Sequence, residues 1–151
     1  MRLTIEIADE QQAHQIDKAR LKQGVRQVLQ DAGIESAEIS IAIVDDARMH
    51  ELNRKYLAHD YPTDVLSFLL TYDPEQRALE GEIIVSVDYA AREAVRYGWT
   101  ADDELVLYVI HGCLHLVGHD DATDEGQRAM RAAEKECLAR FGVAHRYEAP
   151  G

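Results

Sequence analysis

Polar and apolar residues alternate at the start of the chain. Leu3, Ile5 and Ile7 are separated by Thr4 and Glu6, the period-two pattern of a strand with one buried face. From Ile16 to Ala32 the period lengthens: Leu21, Val25, Val28 and Leu29 fall on one stripe of an amphipathic helix, and Gly33 stands where it ends. Glu38 to Val44 alternates again and predicts a second strand. Asp45 and Asp46 then open a short helix with Met49, Leu52 and Tyr56 on its inner side, and His59 to Thr63 reads as a turn. Val65 to Leu70 is nearly all apolar, as in a strand covered on both faces. Thr71 to Glu80 is polar and contains Pro74, which predicts a loop. Ile83 to Val87 is a further strand, entered through Gly81 and Glu82, and a helix follows from Asp88 to Tyr97, stopped by Gly98.

The apolar density is greatest after Thr100, which with Asp103 forms a capping-box-like start. Leu105, Val106, Val109, Ile110, Cys113, Leu114 and Val117 make a wide stripe that Gly118 ends. A last helix is predicted from about Asp124 to Phe141, with Met130, Cys137, Leu138 and Phe141 packed inwards. The whole predicts one α+β domain over residues 1–151, with a small sheet of about four strands and roughly five helices. The tail from His145 to Gly151 is polar and is expected to fray.

Composition narrows the class. With 151 residues, 46% of them hydrophobic and 29% charged, the chain can bury a core without staples, and no internal repeat or low-complexity tract interrupts it. No apolar run approaches the ~20 residues that span a bilayer. Two cysteines cannot form a disulfide framework, and with no secretory signal pattern this fits a cytoplasmic protein. The formal net charge of −12 argues against nucleic-acid binding through the overall field, so an RNA or DNA partner requires a local basic patch.

The candidate chemistry lies in HGCLHLVGHDD, from His111 to Asp121. His111 and His115 are four apart on a helix, which places both imidazoles on one face about 6 Å apart along the axis, able to converge on one metal. Gly118 can take the left-handed conformation that turns the chain back. Asp121, just beyond, can then supply a carboxylate oxygen, although it could instead cap the last helix, a task also open to Thr123. His119 is the alternative third ligand, but it follows Gly118 at once and has to point back across the turn. Histidines at this spacing also occur as ordinary surface or core residues; here the pair lies in an apolar helix that runs directly into Gly-His-Asp-Asp, which favours ligation. Cys113 falls on the opposite face as a small buried residue. His14, His50, His59 and His145 are scattered. Three protein ligands leave a position for water, the arrangement of a catalytic site. The mixed nitrogen and carboxylate set suits Zn2+ first, with other divalent transition metals also able to bind. From Thr100 to Gln127 there are seven acidic residues and no Lys or Arg, a surround that attracts a dication and equally suits a solvated face.

One function class with such a site is a metzincin-like metalloprotease, whose pattern H-E-x-x-H-x-x-G-x-x-H has the same spacing. The general-base glutamate of that pattern is replaced here by Gly112. A different class is implied by resemblance. HGCLHLVGHDD resembles the H-G-x-L-H-L-x-G-Y-D-H signature of the YbeY family of bacterial endoribonucleases and rRNA maturation factors. Leu52-Asn53 with Tyr56, then Asp60-x-Pro62-Thr63-Asp64-Val65-Leu66-Ser67-Phe68, resembles that family's LN..YR..D.PTDVLSF segment. Gly81-Glu82-Ile83 and Glu104-Leu105 resemble further pieces of it, so the likeness runs from about Leu52 to Leu138.

The resemblance implies a mixed sheet with helices around a crevice and a zinc-type metal at its floor. It also implies single-strand-specific endoribonuclease activity in rRNA maturation, of the kind that processes the small-subunit rRNA 3′ end, and in ribosome quality control. The partners implied are rRNA, the small ribosomal subunit and ribosome-associated proteins, with no membrane. The family's three histidine ligands fall on His111, His115 and Asp121, the catalytic set, the third being a departure. Leu57 replaces the family's arginine, a role that Arg54 or His59 could take, and His119 replaces its tyrosine. Arg54, His59, Thr63 and Asp64 are the candidate substrate contacts; Arg48, Lys55, Arg92 and Arg96 are further cations that could meet phosphate. A non-catalytic ribosome-assembly factor with a structural metal is the alternative within this class.

Overall fold

The computed structural model describes residues 2–56 and 65–143, apart from the side chain of Tyr56. The predicted turn His59–Thr63 and the candidates His59, Thr63 and Asp64 lie outside the described residues. The order is β1 (Arg2–Asp9), α1 (Lys18–Asp31), β2 (Ser36–Val44), α2 (Asp46–Tyr56), β3 (Val65–Asp73), β4 (Ala78–Ser86), α3 (Val87–Tyr97), α4 (Ala101–Leu116) and α5 (Asp124–Ala139). Four strands and five helices among the described residues match the expected α+β class. None of the helices is long and apolar enough to cross a membrane.

The sheet is mixed, in the order β1-β2-β4-β3. β1, β2 and β4 run parallel, with Ile5 beside Ile39 and Ile41 beside Ile83, while β3 pairs antiparallel with β4. Alternation decides which face is buried. Ala37, Ile39, Ile41 and Ile43 of β2, with Leu79, Ile83 and Val85 of β4, enter the main core, where α1 and α4 pack. Glu38, Ser40, Glu80 and Glu82 point to the opposite, largely bare face. At one end of that face α2 seats Met49 and Leu52 on Val44, Leu66 and Ile84, a second small core.

Two expectations fail, for one reason. The stretch Thr71–Glu80 is not a loop: β3 continues to Asp73 and β4 begins at Ala78, so the region is a hairpin. Its turn is tied by Asp73, whose Oδ1 accepts from the N–H groups of Glu75 (3.0 Å) and Gln76 (3.3 Å), and Arg77 takes a positive φ of 51°. Nor is β3 covered on both faces. It is an edge strand with Leu69 50%, Leu70 54% and Tyr72 51% exposed. Polarity signalled a loop because a strand at the rim can be wetted on both faces, and apolarity signalled burial where the strand only borders a groove. Smaller differences are local. α1 starts at Lys18, not Ile16, because Asp17 caps it by accepting from Arg20 N–H at 3.2 Å. Val87 opens α3 behind the cap Ser86 rather than closing a strand, and α5 ends at Ala139.

α4 is the axle of the fold. From Glu104 to Leu116 every residue is buried except His111 and His115, which are half-buried. A helix apolar around almost its whole circumference has to be enclosed. α4 touches α1, α3, α5, β3 and β4. Thr100 caps its start, accepting from Asp103 N–H at 3.1 Å.

Candidate metal centre

The two imidazoles of α4 converge. His115 Nε2 lies 3.2 Å from His111 Nε2, with the rings edge to face and their centroids 4.7 Å apart. Each ring is held from behind through Nδ1. His111 Nδ1 is 2.7 Å from Glu134 Oε2, and His115 Nδ1 is 3.0 Å from the backbone carbonyl oxygen of His119. A carbonyl oxygen only accepts, as does an ionised carboxylate, so these partners assign the proton of each neutral ring to Nδ1. Both Nε2 lone pairs then face the same point. Two lone pairs at 3.2 Å repel each other unless a positive charge lies between them.

Asp121 closes the triangle. Its Oδ2 is 3.6 Å from His111 Nε2 and its Oδ1 is 3.7 Å from His115 Nε2. Ligands about 2.1 Å from one tetrahedral ion stand about 3.4 Å from each other. The spacing of 3.2–3.7 Å is therefore that of donors around a single cation. Among the described residues, these three form the His/Cys/Asp/Glu cluster able to hold a metal ion, their donor atoms all within 4.8 Å of one another.

The chain reaches this point through local chemistry that the sequence already carries. Gly118, at a φ of +106°, turns the backbone after α4; its own N–H donates to His115 O (3.1 Å) and the N–H of His119 to Leu114 O (3.0 Å). This is the double bond of a helix-ending Schellman motif. Asp120 accepts from Ala122 N–H through its side chain at 2.9 Å, and Thr123 caps α5 by accepting from Gly126 N–H at 3.0 Å. Capping therefore falls to Thr123, and Asp121 is available to the histidines. His119 contributes its carbonyl and is not part of the cluster; the residue also borders a separate crevice with Asp31, Cys137 and Arg140.

Glu134 was not visible as a site residue in the sequence. It is 3% exposed, 23 residues beyond His111, and sits on α5 between Met130 and Leu138 in the buried stripe. A lone carboxylate at the centre of an apolar i, i+4 stripe is the signal that could have found it, because burial without a partner is costly.

The cluster opens to solvent: the side chains of His111, His115 and Asp121 are 25%, 31% and 42% exposed. Beside it runs a groove of about 400 Å³, walled on one side by β3 from Val65 to Leu69 and on the other by His111, His115 and Leu116. Gly112 turns the other way, into the sheet. A Cβ there would lie 3.0 Å from Ile83 Cγ2 and 3.2 Å from Val65 Cγ2. A glutamate, the metalloprotease base, therefore has no room at this position and would not face the groove. Cys113 is buried, with its Sγ 3.9 Å from the Val25 carbonyl oxygen, and desolvation pushes its thiol far above the usual range.

The remaining candidates sit further out. Arg54 and Lys55 are exposed in the last turn of α2. Arg48 pairs with Glu51 at 3.1 Å, Arg92 with Asp46 at 2.5 Å and Arg96 with Glu93 at 3.3 Å. The acidity of α4 is likewise spread out: Asp103 pairs with Arg20 at 2.7 Å.

Comparison with known proteins places the chain in a family. The family model described as Endoribonuclease YbeY matches residues 6–142. Curated relatives bearing that name include one from Desulfitobacterium hafniense, 39% identical over 82% of this chain and 84% of its own. One from Bacillus licheniformis is 35% identical over 95% and 98%, and one from a Sulfurovum species is 46% identical over 70% and 74%. The solution structure of a Thermotoga maritima protein shares the fold, with a TM-score of 0.60 at 24% identity, covering 93% of this chain and 91% of that one. The match runs from the middle of β1 through the rest of the sheet, the histidine helix and the helix that buttresses it, and on this ground the chain belongs to the YbeY endoribonuclease family.

Proposed function

We propose that this protein is a cytoplasmic, metal-dependent endoribonuclease that cuts single-stranded rRNA in small-subunit maturation and ribosome quality control. His111, His115 and Asp121 hold the metal. The observation that carries this reading is the pair of imidazoles locked through Nδ1, with Nε2 atoms 3.2 Å apart and a carboxylate at 3.6–3.7 Å, beside an open groove. Two neutral nitrogens and one carboxylate suit Zn2+ first among divalent transition metals. When bound, such a metal supplies Lewis-acid polarisation of a phosphoryl oxygen and acidifies a water or a ribose hydroxyl.

The chain's own residues do the rest. Glu134 keeps the His111 proton on Nδ1 and the His119 carbonyl keeps the His115 proton there, so both donors stay aimed without reorganisation. The groove is walled by a strand edge and apolar side chains, and a splayed-out single strand fits such a surface better than a duplex does. Arg54, in the last turn of α2, is the proposed phosphate contact, with His59, Thr63 and Asp64 of the following segment as further substrate contacts. Preference for RNA over DNA rests on recognition of the 2′-hydroxyl.

The test is a cleavage assay on single-stranded RNA, duplex RNA and single-stranded DNA, using metal-loaded protein, chelator-treated protein and the double variant H111A/H115A. Cleavage of single-stranded RNA alone, abolished by chelator and by the double variant, is expected. RNA binding that survives chelator, with no cleavage by pure protein, would overturn the enzymatic reading in favour of an assembly factor.

A further inference from the structure

Asp121 is the shortest arm of the cluster. From Cα to its donor atom a carboxylate is one bond shorter than an imidazole reaching through Nε2, so its backbone must come closer to the cation than a histidine backbone would. The 118–123 turn provides that approach, and its seat is a glycine in the first turn of α5. A Cβ built on Gly126 would lie 2.0 Å from the backbone oxygen of Asp120, 3.0 Å from Thr123 Oγ1 and 3.1 Å from the Asp120 carbonyl carbon. Real Cβ atoms essentially never approach another heavy atom below 3.0 Å. The atom met here is rigid backbone rather than the end of a flexible side chain, so any side chain at 126 would displace the Asp120 carbonyl by about 1 Å. That oxygen belongs to the peptide plane that also carries the Asp121 nitrogen. What moves it moves Asp121.

Gly126 does not have a left-handed φ, and it lies inside a helix, where glycine is the poorest ordinary former and alanine the best. Close approach is therefore the physical reason for a glycine at this position. We propose that Gly126 is a positioning residue for the metal centre. By letting the turn lie directly on α5, it brings a short carboxylate arm within reach of the cation held by His111 and His115. The inference rests on the ligand assignment of the preceding subsection and adds to it a coupling between residue 126 and the length of the arm at 121.

The coupling gives an expectation that differs from ordinary structural damage. Zn2+ affinity is measured by chelator competition on the full chain, with circular dichroism and thermal unfolding of the metal-free protein alongside. G126A is expected to lose about tenfold or more in affinity, the range for residues that orient ligands. The longer-armed variants G126A/D121H and G126A/D121E are expected to recover most of it. Conversely, D121E with Gly126 in place should weaken binding, because the longer arm overshoots from a backbone seated this close.

The results separate the two readings. If H111A/H115A binds Zn2+ as tightly as the parent chain, the ligand assignment falls and the coupling with it. If that double variant loses the metal but G126A keeps the parent affinity, or if G126A costs the same whichever residue stands at 121, the ligands survive and the coupling is refuted. Should G126A not fold, D121E decides alone: affinity equal to the parent overturns the proposal, and a loss supports it.

Discussion

Replacing Glu134 by leucine isolates the contribution of the residue behind the site. Leucine keeps roughly the volume and the apolar company of Met130 and Leu138, and it removes the acceptor that lies 2.7 Å from His111 Nδ1. Glu134 is 3% exposed, so bulk water does not easily replace the lost partner. An unsatisfied buried N–H costs about 1–3 kcal/mol. The ring has two ways out. It can stay and bear that cost, or it can move its proton to Nε2, which places an N–H where the proposed cation would sit. Either route weakens the metal site, and loss of such a supporting partner typically lowers affinity about 10–100-fold, which is about 1.4–2.7 kcal/mol. E134Q is the control: its amide oxygen still accepts from Nδ1, so the tautomer survives and only the charge is lost. The assay is chelator competition for Zn2+ on all three proteins, with unfolding in urea measured on the metal-free forms. The expected order of affinity is parent, then E134Q, then E134L. An E134L protein binding Zn2+ within twofold of the parent would refute the argument that Glu134 fixes the imidazole.

Two other expectations follow from burial. G112E forces a carboxylate between α4 and the side chains of Ile83 and Val65, already at 3.0 and 3.2 Å from a Cβ. It should cost more than about 3 kcal/mol in urea unfolding, from overpacking and an unpaired buried charge together, and a variant as stable as the parent would show that α4 can lift from the sheet. Cys113 and Cys137 should resist alkylation in the native state. Burial, reinforced by the Asp31 charge, pushes the Cys137 thiol up to about 11, so the thiolate fraction at pH 8 is on the order of 10⁻³. Both folded values lie above the unfolded one, so the thiols favour the native state below about pH 9 and that contribution is lost as pH rises further. Rapid labelling at pH 8 without unfolding would contradict the packing around them.

The sequence was most readable where the signal is local and periodic. The i, i+4 spacing fixed His111 and His115 on one side of a helix before any neighbour was known, because helical geometry depends only on the backbone. Thr123 and Gly118 were likewise legible as cap and turn, since each acts on groups within a few residues. The hairpin of β3 and β4 was misread for the opposite reason. Its strands owe their pairing to each other, and the exposed rim of the sheet gives polar and apolar residues no consistent side to choose.

What the amino-acid sequence determined by itself was the set of donors and the order of the elements: two imidazoles on an apolar helix, a glycine to end it, and an acid just beyond. Only the tertiary structure decided which acid lies beside the two imidazoles and what stands behind the rings. It left His119 out of the cluster, brought Glu134 from 23 residues away to His111, and laid the edge of β3 alongside to make a groove. Those outcomes depend on contacts between segments distant in the chain, and such contacts leave no period in the sequence because they are fixed by packing rather than by the repeat of one backbone.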